Sequence, residues 1–315
     1  MMTLMSNTIL RTCNTIVLNL YYSIVIPLCG QPRLAFVSGA FINDMADLNI
    51  DVLEDLQWAT GRLEGGFGYI ERATWKNNDV AVKFLRPLGR NNIRTNKSLR
   101  QELKVWKEII HPHILPLLGV VRIEDRGLGM ASPYMLNGSA RAYITRNPNT
   151  NVMSILSDVA EALRYLASHN PPIAHGDIKG DNVLIDPNGR ALLCDFGLSR
   201  FVEDNSLDDE GTTRWMAPEQ LREDVMFVSL PADVYSWGML ALELMTGTVP
   251  WSEIENDYQV IQRVLRGDRP QPRGAINDEM WALIQECWRH DPDKRPTAWE
   301  VYDALCDLRH RHHST

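Results

Sequence analysis

Residues 173–198 read IAHGDIKGDNVLIDPNGRALLCDFGL, a stretch that sets Asp177, Lys179, Asn182 and Asp195 among apolar neighbours. Asn182 falls five positions after Asp177, and Asp195-Phe196-Gly197 follows beyond two apolar triplets, Val183-Leu184-Ile185 and Ala191-Leu192-Leu193. Between the triplets lies Asp186-Pro187-Asn188-Gly189, whose proline and asparagine-glycine pair favour a tight turn. The spacing predicts a short hairpin that brings Asp195 back beside Asp177 and Asn182.

These residue types suit one kind of chemistry. Clustered phosphate charge calls for a hard cation, which takes oxygen ligands from side chains such as Asp195 and Asn182, while a separate carboxylate, Asp177, meets an incoming hydroxyl. On these motifs the chain resembles a eukaryotic protein kinase, and its wording is closest to Ser/Thr kinases of the tyrosine-kinase-like group, fungal members above all. The resemblance extends over roughly residues 57–309. It implies an α+β, two-lobed kinase fold: a small β-rich N-lobe with one regulatory helix and a larger, mainly helical C-lobe. The kinase domain would span 51–310, with the N-lobe about 51–134 and the C-lobe about 135–310, preceded by an unassigned extension, 1–50, and followed by a tail, 311–315. The implied reaction moves the γ-phosphate of ATP to Ser or Thr hydroxyls of protein substrates in intracellular signalling. Mg²⁺ would be held by Asn182 and Asp195, with Asp177, Lys179, Lys83 and Glu102 as catalytic residues.

Composition is compatible with this. The 315 residues can bury a sizeable core, and 44% hydrophobic with 23% charged residues describes a soluble, globular chain. A net charge of −8 argues against nucleic-acid binding through a broadly basic surface. The five cysteines, Cys13, Cys29, Cys194, Cys287 and Cys306, are widely spaced and odd in number, which favours reduced thiols and the cytoplasm. Cys194 adjoins Asp195 and reads as a small apolar filler on a strand. Ile16–Leu28 is apolar and resembles a signal-peptide core, a reading that Asn19 and Pro27 weaken; an amphipathic or docked extension or a doubtful gene start is an equal alternative, the stretch is left unassigned, and it is too short for a stable membrane span. Acidic and apolar residues from Asp44 to Asp55 fall at helical spacing.

Residues 57–85 read as strands. Gly65-Gly66-Phe67-Gly68-Tyr69-Ile70 would let the backbone turn closely over phosphates, and the two-residue period of Val80-Ala81-Val82-Lys83 puts Ala81 and Lys83 on one face. Aligned on Gly65 and Gly68, the family's first loop glycine falls at Leu63. Leu99, Leu103, Trp106 and Ile110 mark a helix over 96–110, with Glu102 beside its buried face and in position to pair with Lys83. Ser132, Pro133, Tyr134 and Met135 would form the hinge, with Ser132 as a small gatekeeper. By resemblance the ATP site takes in Gly65, Gly66, Phe67, Gly68, Ile70, Ala81, Lys83, Ser132, Pro133, Met135 and Leu184.

Farther on, Val152–Ser168 carries an apolar stripe and reads as a long helix. Residues 199–211 are acidic and aperiodic, as expected of an activation loop. Gly211-Thr212-Thr213-Arg214-Trp215-Met216-Ala217-Pro218-Glu219 is similar to the family's substrate-docking loop. Lys179 with Thr212 resembles the Ser/Thr-specific arrangement; tyrosine specificity is the weaker alternative. Glu219 is expected to pair with Arg295, and Asp233 to cap the catalytic loop from a buried helix reaching Met245. Trp251 and Trp288 read as core, Thr297 and Glu300 as a capping box, and Arg309–His313 as a frayed tail. Gly176 stands where most relatives carry arginine, which implies weak dependence on activation-loop phosphorylation at Ser206. Leu63 and Gly176 together motivate the alternative of a pseudokinase serving as a nucleotide-binding or scaffolding module.

Overall fold

Val80, Val82 and Phe84 are fully buried while Ala81 and Lys83 on the opposite face are half-buried, the alternation that a pleated strand imposes on this run. In the computed structural model, which describes residues 48–64, 68–85, 93–123, 126–201, 212–222, 228–272, 274 and 276–313, that strand lies at the centre of an antiparallel sheet. The strands are β1 (Gln57–Glu64), β2 (Gly68–Trp75), β3 (Asn78–Leu85), β4 (Gly119–Ile123) and β5 (Gly127–Pro133), in the order β1-β2-β3-β5-β4. Leu53, Ala73, Val80, Val82, Phe84, Val121 and Ala131 form a small core in the sheet.

Of the helix expected over Asp44–Asp55, the described part holds only Leu48 in a 3-10 turn, and residues 49–55 are not helical. There the chain instead follows the edge of β4: Leu53 N–H donates to Val120 O at 2.8 Å and Val120 N–H donates to Asp51 O at 2.9 Å. An open strand edge offers backbone partners at this point, and Asn49 and Asp55, at φ 48° and 60°, tolerate the left-handed turns that break a helix. Ile16–Leu28, Cys13 and Cys29 lie outside the described residues.

Helix α1 (Ile93–Trp106) packs beneath the sheet. It stops short of the expected Ile110, which is 48% exposed, while Ile109 turns inward. Pro112 disfavours helical backbone at His111, and the Trp106 indole donates to Leu115 O at 2.7 Å, fixing the turn that follows.

The larger lobe is helical. It comprises α2 (Ala140–Arg146), α3 (Val152–Ser168), α4 (Leu230–Thr246), α5 (Asp257–Leu265), α6 (Asp278–Cys287) and α7 (Ala298–His313), with the short ladders β6 (Ile173–Ala174) with β9 (Arg200–Phe201) and β7 (Val183–Ile185) with β8 (Ala191–Leu193). Both α3 and the 183–193 hairpin form as the sequence predicts. Every residue of α4 from Ala232 to Leu244 is buried, so this helix is the axis of the lobe. Ser229 caps its start, and Gly247, at φ 68°, ends it in the left-handed turn that glycine accommodates. Trp251 and Trp288 are core residues, 2% and 4% exposed.

Thr297 and Glu300 form the expected capping box for α7. The run Arg309–His313 is a correction: it continues α7, anchored where Arg311 reaches Glu279 on α6 at 2.8 Å. Among the described residues no helix is long and apolar enough to cross a membrane.

Arg295 holds the base of this lobe together. Its guanidinium, wholly buried, meets Glu219 in two bonds of 2.6 and 2.7 Å and also donates to the carbonyls of Arg289 and Pro231. Removing one partner of a buried pair strands the other charge, so Glu219→Ala should lower stability by about 3–5 kcal/mol. Urea unfolding followed by tryptophan fluorescence measures this; a loss below about 1 kcal/mol would contradict it.

Candidate active site

The loop between β6 and β7 hangs from α4 by a carboxylate. Asp233 accepts the His175 N–H at 2.6 Å on one oxygen and the Gly176 N–H at 2.8 Å on the other, the cap expected from sequence. Burial pushes the Asp233 carboxyl up to about 7, outweighing the two backbone bonds that favour its charged form. Gly176 has φ +86°, and a Cβ there would stand 2.9 Å from both methyls of Val228. Its position admits glycine for that double reason.

His175 is the loop's second anchor. It is fully buried, and burial lowers its imidazole to about 4, so the ring is neutral at pH 7. Asp177 N–H donates to Nδ1 at 3.2 Å, which leaves the proton on Nε2 to reach Cys194 O at 3.1 Å. Phe196 lies edge-on to this ring at 5.0 Å and tilted toward Trp106 at 6.1 Å, wholly buried between the two lobes. Cys194 is 9% exposed, and burial pushes its thiol up, in keeping with a filler.

Around Asp177 the polar groups converge. Lys179 Nζ donates to Asp177 Oδ2 at 2.6 Å and to Thr212 Oγ1 at 2.5 Å, and Thr212 in turn donates to Asp177 Oδ1 at 3.1 Å. Asn182 Nδ2 donates to the same Oδ2 at 2.7 Å and to the Asp177 carbonyl at 2.8 Å. Asn182 is itself buried, and both of these bonds run from its amide nitrogen. Asp195, in the left-handed region at φ 67°, engages Lys83 through Oδ1 at 2.6 Å.

Lys83 binds Glu102 as well, at 2.9 Å, joining β3 to α1 as the sequence predicts. Burial opposes the charge on Lys83, yet Asp195 and then Glu102 outweigh it and hold the ammonium above its ordinary range. Burial likewise works against the Asp195 carboxylate, and Lys83 reverses the balance and lowers it.

Of the residues expected around a nucleotide, Gly68, Ile70, Ala81, Ser132 and Pro133 lie on β2, β3 and β5. Ile70 is opposite Lys83 across β2–β3, Ala81 is opposite Ser132 across β3–β5, and Pro133 pairs with Val80. Met135 is buried, its carbonyl accepting from Gly138 N–H at 3.0 Å, and Leu184 is half-buried on β7. Gly65, Gly66 and Phe67 lie outside the described residues. Leu63 ends up on β1 opposite Ile70, 60% exposed. Gly68 has a structural reason of its own: a Cβ there would come within 2.1 Å of Phe84 O, so the β2–β3 approach requires glycine.

Two groups went unread in the sequence. Glu243, 1% exposed on α4, accepts from Gly180 N–H at 2.9 Å, the Trp215 indole at 2.9 Å and Arg141 Nε at 2.6 Å, and burial raises its carboxyl. A lone carboxylate within the apolar run Met239–Met245 was the available signal. Arg214 is the other. Its guanidinium donates to the carbonyls of Trp251 and Ile254 at 2.7 Å and meets Asp257 at 2.9 Å, tying the 212–219 loop to the start of α5.

Comparison with known proteins agrees with this geometry. The family described as protein tyrosine and serine/threonine kinase matches residues 60–305. The chain is 34% identical over 254 residues to the Arabidopsis thaliana serine/threonine-protein kinase CTR1, covering 78% of this chain and 30% of that protein. It is 32% identical to the Dictyostelium discoideum probable serine/threonine-protein kinase drkD, covering 76% of this chain and 19% of that one. With the Spongilla lacustris tyrosine-protein kinase SRK3 identity is 29%, over 89% of this chain and 83% of that protein.

The burial of Asp233 generates a pH-dependent expectation. Because its folded-state value exceeds the ordinary 3.8, the folded protein binds the extra proton, and this group's contribution to stability falls as pH rises from about 4 through about 7. Asp233→Asn should abolish that slope. It should also cost about 1–3 kcal/mol, since an amide presents one acceptor to two N–H donors. Urea denaturation of both proteins across this pH range is the check; identical slopes would refute it.

Proposed function

Because the chain belongs to the protein tyrosine and serine/threonine kinase family, we propose that it transfers the γ-phosphate of ATP to serine or threonine hydroxyls of protein substrates. The observation that carries this reading is Lys179 bonded to both Asp177 and Thr212. That arrangement supplies a base, a cation for the moving phosphate and a rigid wall for a small hydroxyl-bearing side chain. The chain spans 30% of the length of CTR1 and 24% of that of SIS8, another Arabidopsis probable serine/threonine-protein kinase, so its activity is argued from its own residues.

On this reading Asp177 orients the substrate hydroxyl and accepts its proton. Lys179 balances charge on the transferring phosphoryl group, and Lys83, steadied by Glu102, holds the α- and β-phosphates. The adenine would be held by Ala81, Ser132, Pro133, Met135 and Leu184, with the Pro133 carbonyl and the Met135 backbone as partners, and the glycine-rich sequence 65–70 would serve the phosphates. The amide oxygen of Asn182 and the second oxygen of Asp195 are hard donors suited to Mg²⁺, which would neutralise phosphate charge. Residues 51–310 then form the catalytic domain, its lobes meeting near 134–135, acting in the cytoplasm.

Gly176 offers no side chain to a phosphorylated activation loop. Ser206, outside the described residues, is therefore not a switch, and Ser206→Glu should leave the rate within about twofold of wild type.

Transfer of labelled γ-phosphate from Mg-ATP to a basic protein tests the activity. Asp177→Ala and Asp195→Ala should each lower it by about a hundredfold or more, with label on serine or threonine in the wild type. Folded wild type no more active than these variants would leave a binding module instead.

A further inference from the structure

The cluster around Asp177 already holds an alcohol, and it belongs to the chain itself. Thr212 Oγ1 donates to Asp177 Oδ1 at 3.1 Å while accepting from Lys179 Nζ at 2.5 Å. A general base has to lie within about 2.6–3.2 Å of the oxygen whose proton it removes, and Asp177 meets that condition for Thr212. The other oxygen of Asp177 accepts from Asn182 at 2.7 Å, so this carboxylate joins a residue expected to hold the nucleotide's metal to the Thr212 hydroxyl. By contrast Ser199, which opens the same segment, is fully buried and spends its hydroxyl on His175 O at 2.9 Å.

We propose that Thr212 is a modification site, phosphorylated in cis by the chain that carries it, a step that rests on the phosphotransfer activity proposed for this site. Asp177 takes the Oγ1 proton as Oγ1 bonds the γ-phosphorus of ATP. The bond from that phosphorus to the β–γ bridging oxygen breaks, and ADP leaves with the electron pair. Lys179, bonded to Oγ1 from the start, offsets charge on the arriving phosphoryl group. Gly211 precedes Thr212, and glycine's freedom in φ allows the short displacement that in-line approach to phosphorus requires.

This modification works in the opposite sense to a phosphate that orders a loop from outside the site. A phosphate on Thr212 stays where it forms, paired with Lys179 and set against the Asp177 carboxylate, in the space that a substrate hydroxyl needs. Each chain so modified blocks its own acceptor position, and the activity limits itself.

The test treats the full chain with a phosphatase, then incubates it with Mg-ATP and maps phosphate by fragmentation mass spectrometry, with transfer to a basic protein followed in parallel. Phosphate should appear on Thr212 at a first-order rate that about a hundredfold dilution leaves within about twofold, as an intramolecular step requires. Thr212→Ser should carry phosphoserine at this position, and Thr213→Ala should keep the label on Thr212. An Asp177→Asn chain mixed with wild type should stay unmodified at Thr212. Transfer to the basic protein should fall by about tenfold or more as modification approaches completion. Transfer to the basic protein with no phosphate on Thr212 would overturn the proposal and leave the activity itself standing. So would labelling that slows in proportion to dilution, labelling of the Asp177→Asn chain, or undiminished transfer by fully modified protein. No transfer to either acceptor would overturn both.

Discussion

A buried carboxylate must find donors, and on α4 two of them find theirs in the same loop. Asp233 takes the N–H groups of His175 and Gly176, and Glu243 takes that of Gly180. The loop carrying Asp177 and Lys179 is thus fixed at both ends to a helix that is buried without a break from Ala232 to Leu244. Leaving either acid unsatisfied would cost about 1–3 kcal/mol, so the loop's shape is enforced by the stability of the whole lobe. Rigid placement of this kind is what a site needs when positioning supplies much of its chemistry. Gly180 belongs to the same constraint, because a Cβ there would lie 2.7 Å from a Glu243 oxygen.

The second centre works by balance of charge. Lys83, Glu102 and Asp195 come from a strand, a helix and a loop, and each would be costly to bury alone. Together they leave one net negative charge beside the hinge, while Lys179 restores positive charge near Asp177. Wholly buried, Phe196 packs against both Trp106 of α1 and His175 of the loop, so the two centres share one apolar support.

Much of this was legible because it is local. The 183–193 hairpin follows from a turn sequence between apolar triplets, α3 from its stripe, and the Lys83–Glu102, Glu219–Arg295 and Asp233 contacts from family resemblance at known spacings. What was not legible depends on distant partners. The 48–55 segment has helical spacing, yet an open strand edge captured it. The final helix persists to His313, with Arg311 reaching Glu279 on another helix. Glu243 and Arg214 went unread, since nothing near them in sequence names the groups that they satisfy, although the apolar run around Glu243 marks it as buried.

Arg214 also decides what moves with what. Its guanidinium spans the carbonyls of Trp251 and Ile254 and the carboxylate of Asp257, so the 212–219 loop and the head of α5 are riveted into a single mechanical body. Trp251, at φ 60° and almost fully buried, fixes the far side of that joint. A protein gripping the exposed Tyr258 at the start of α5 would be pulling on the same rigid part that seats Thr212 against Lys179. Traction at that remote surface would thus arrive at Thr212 and Lys179 as a change of alignment.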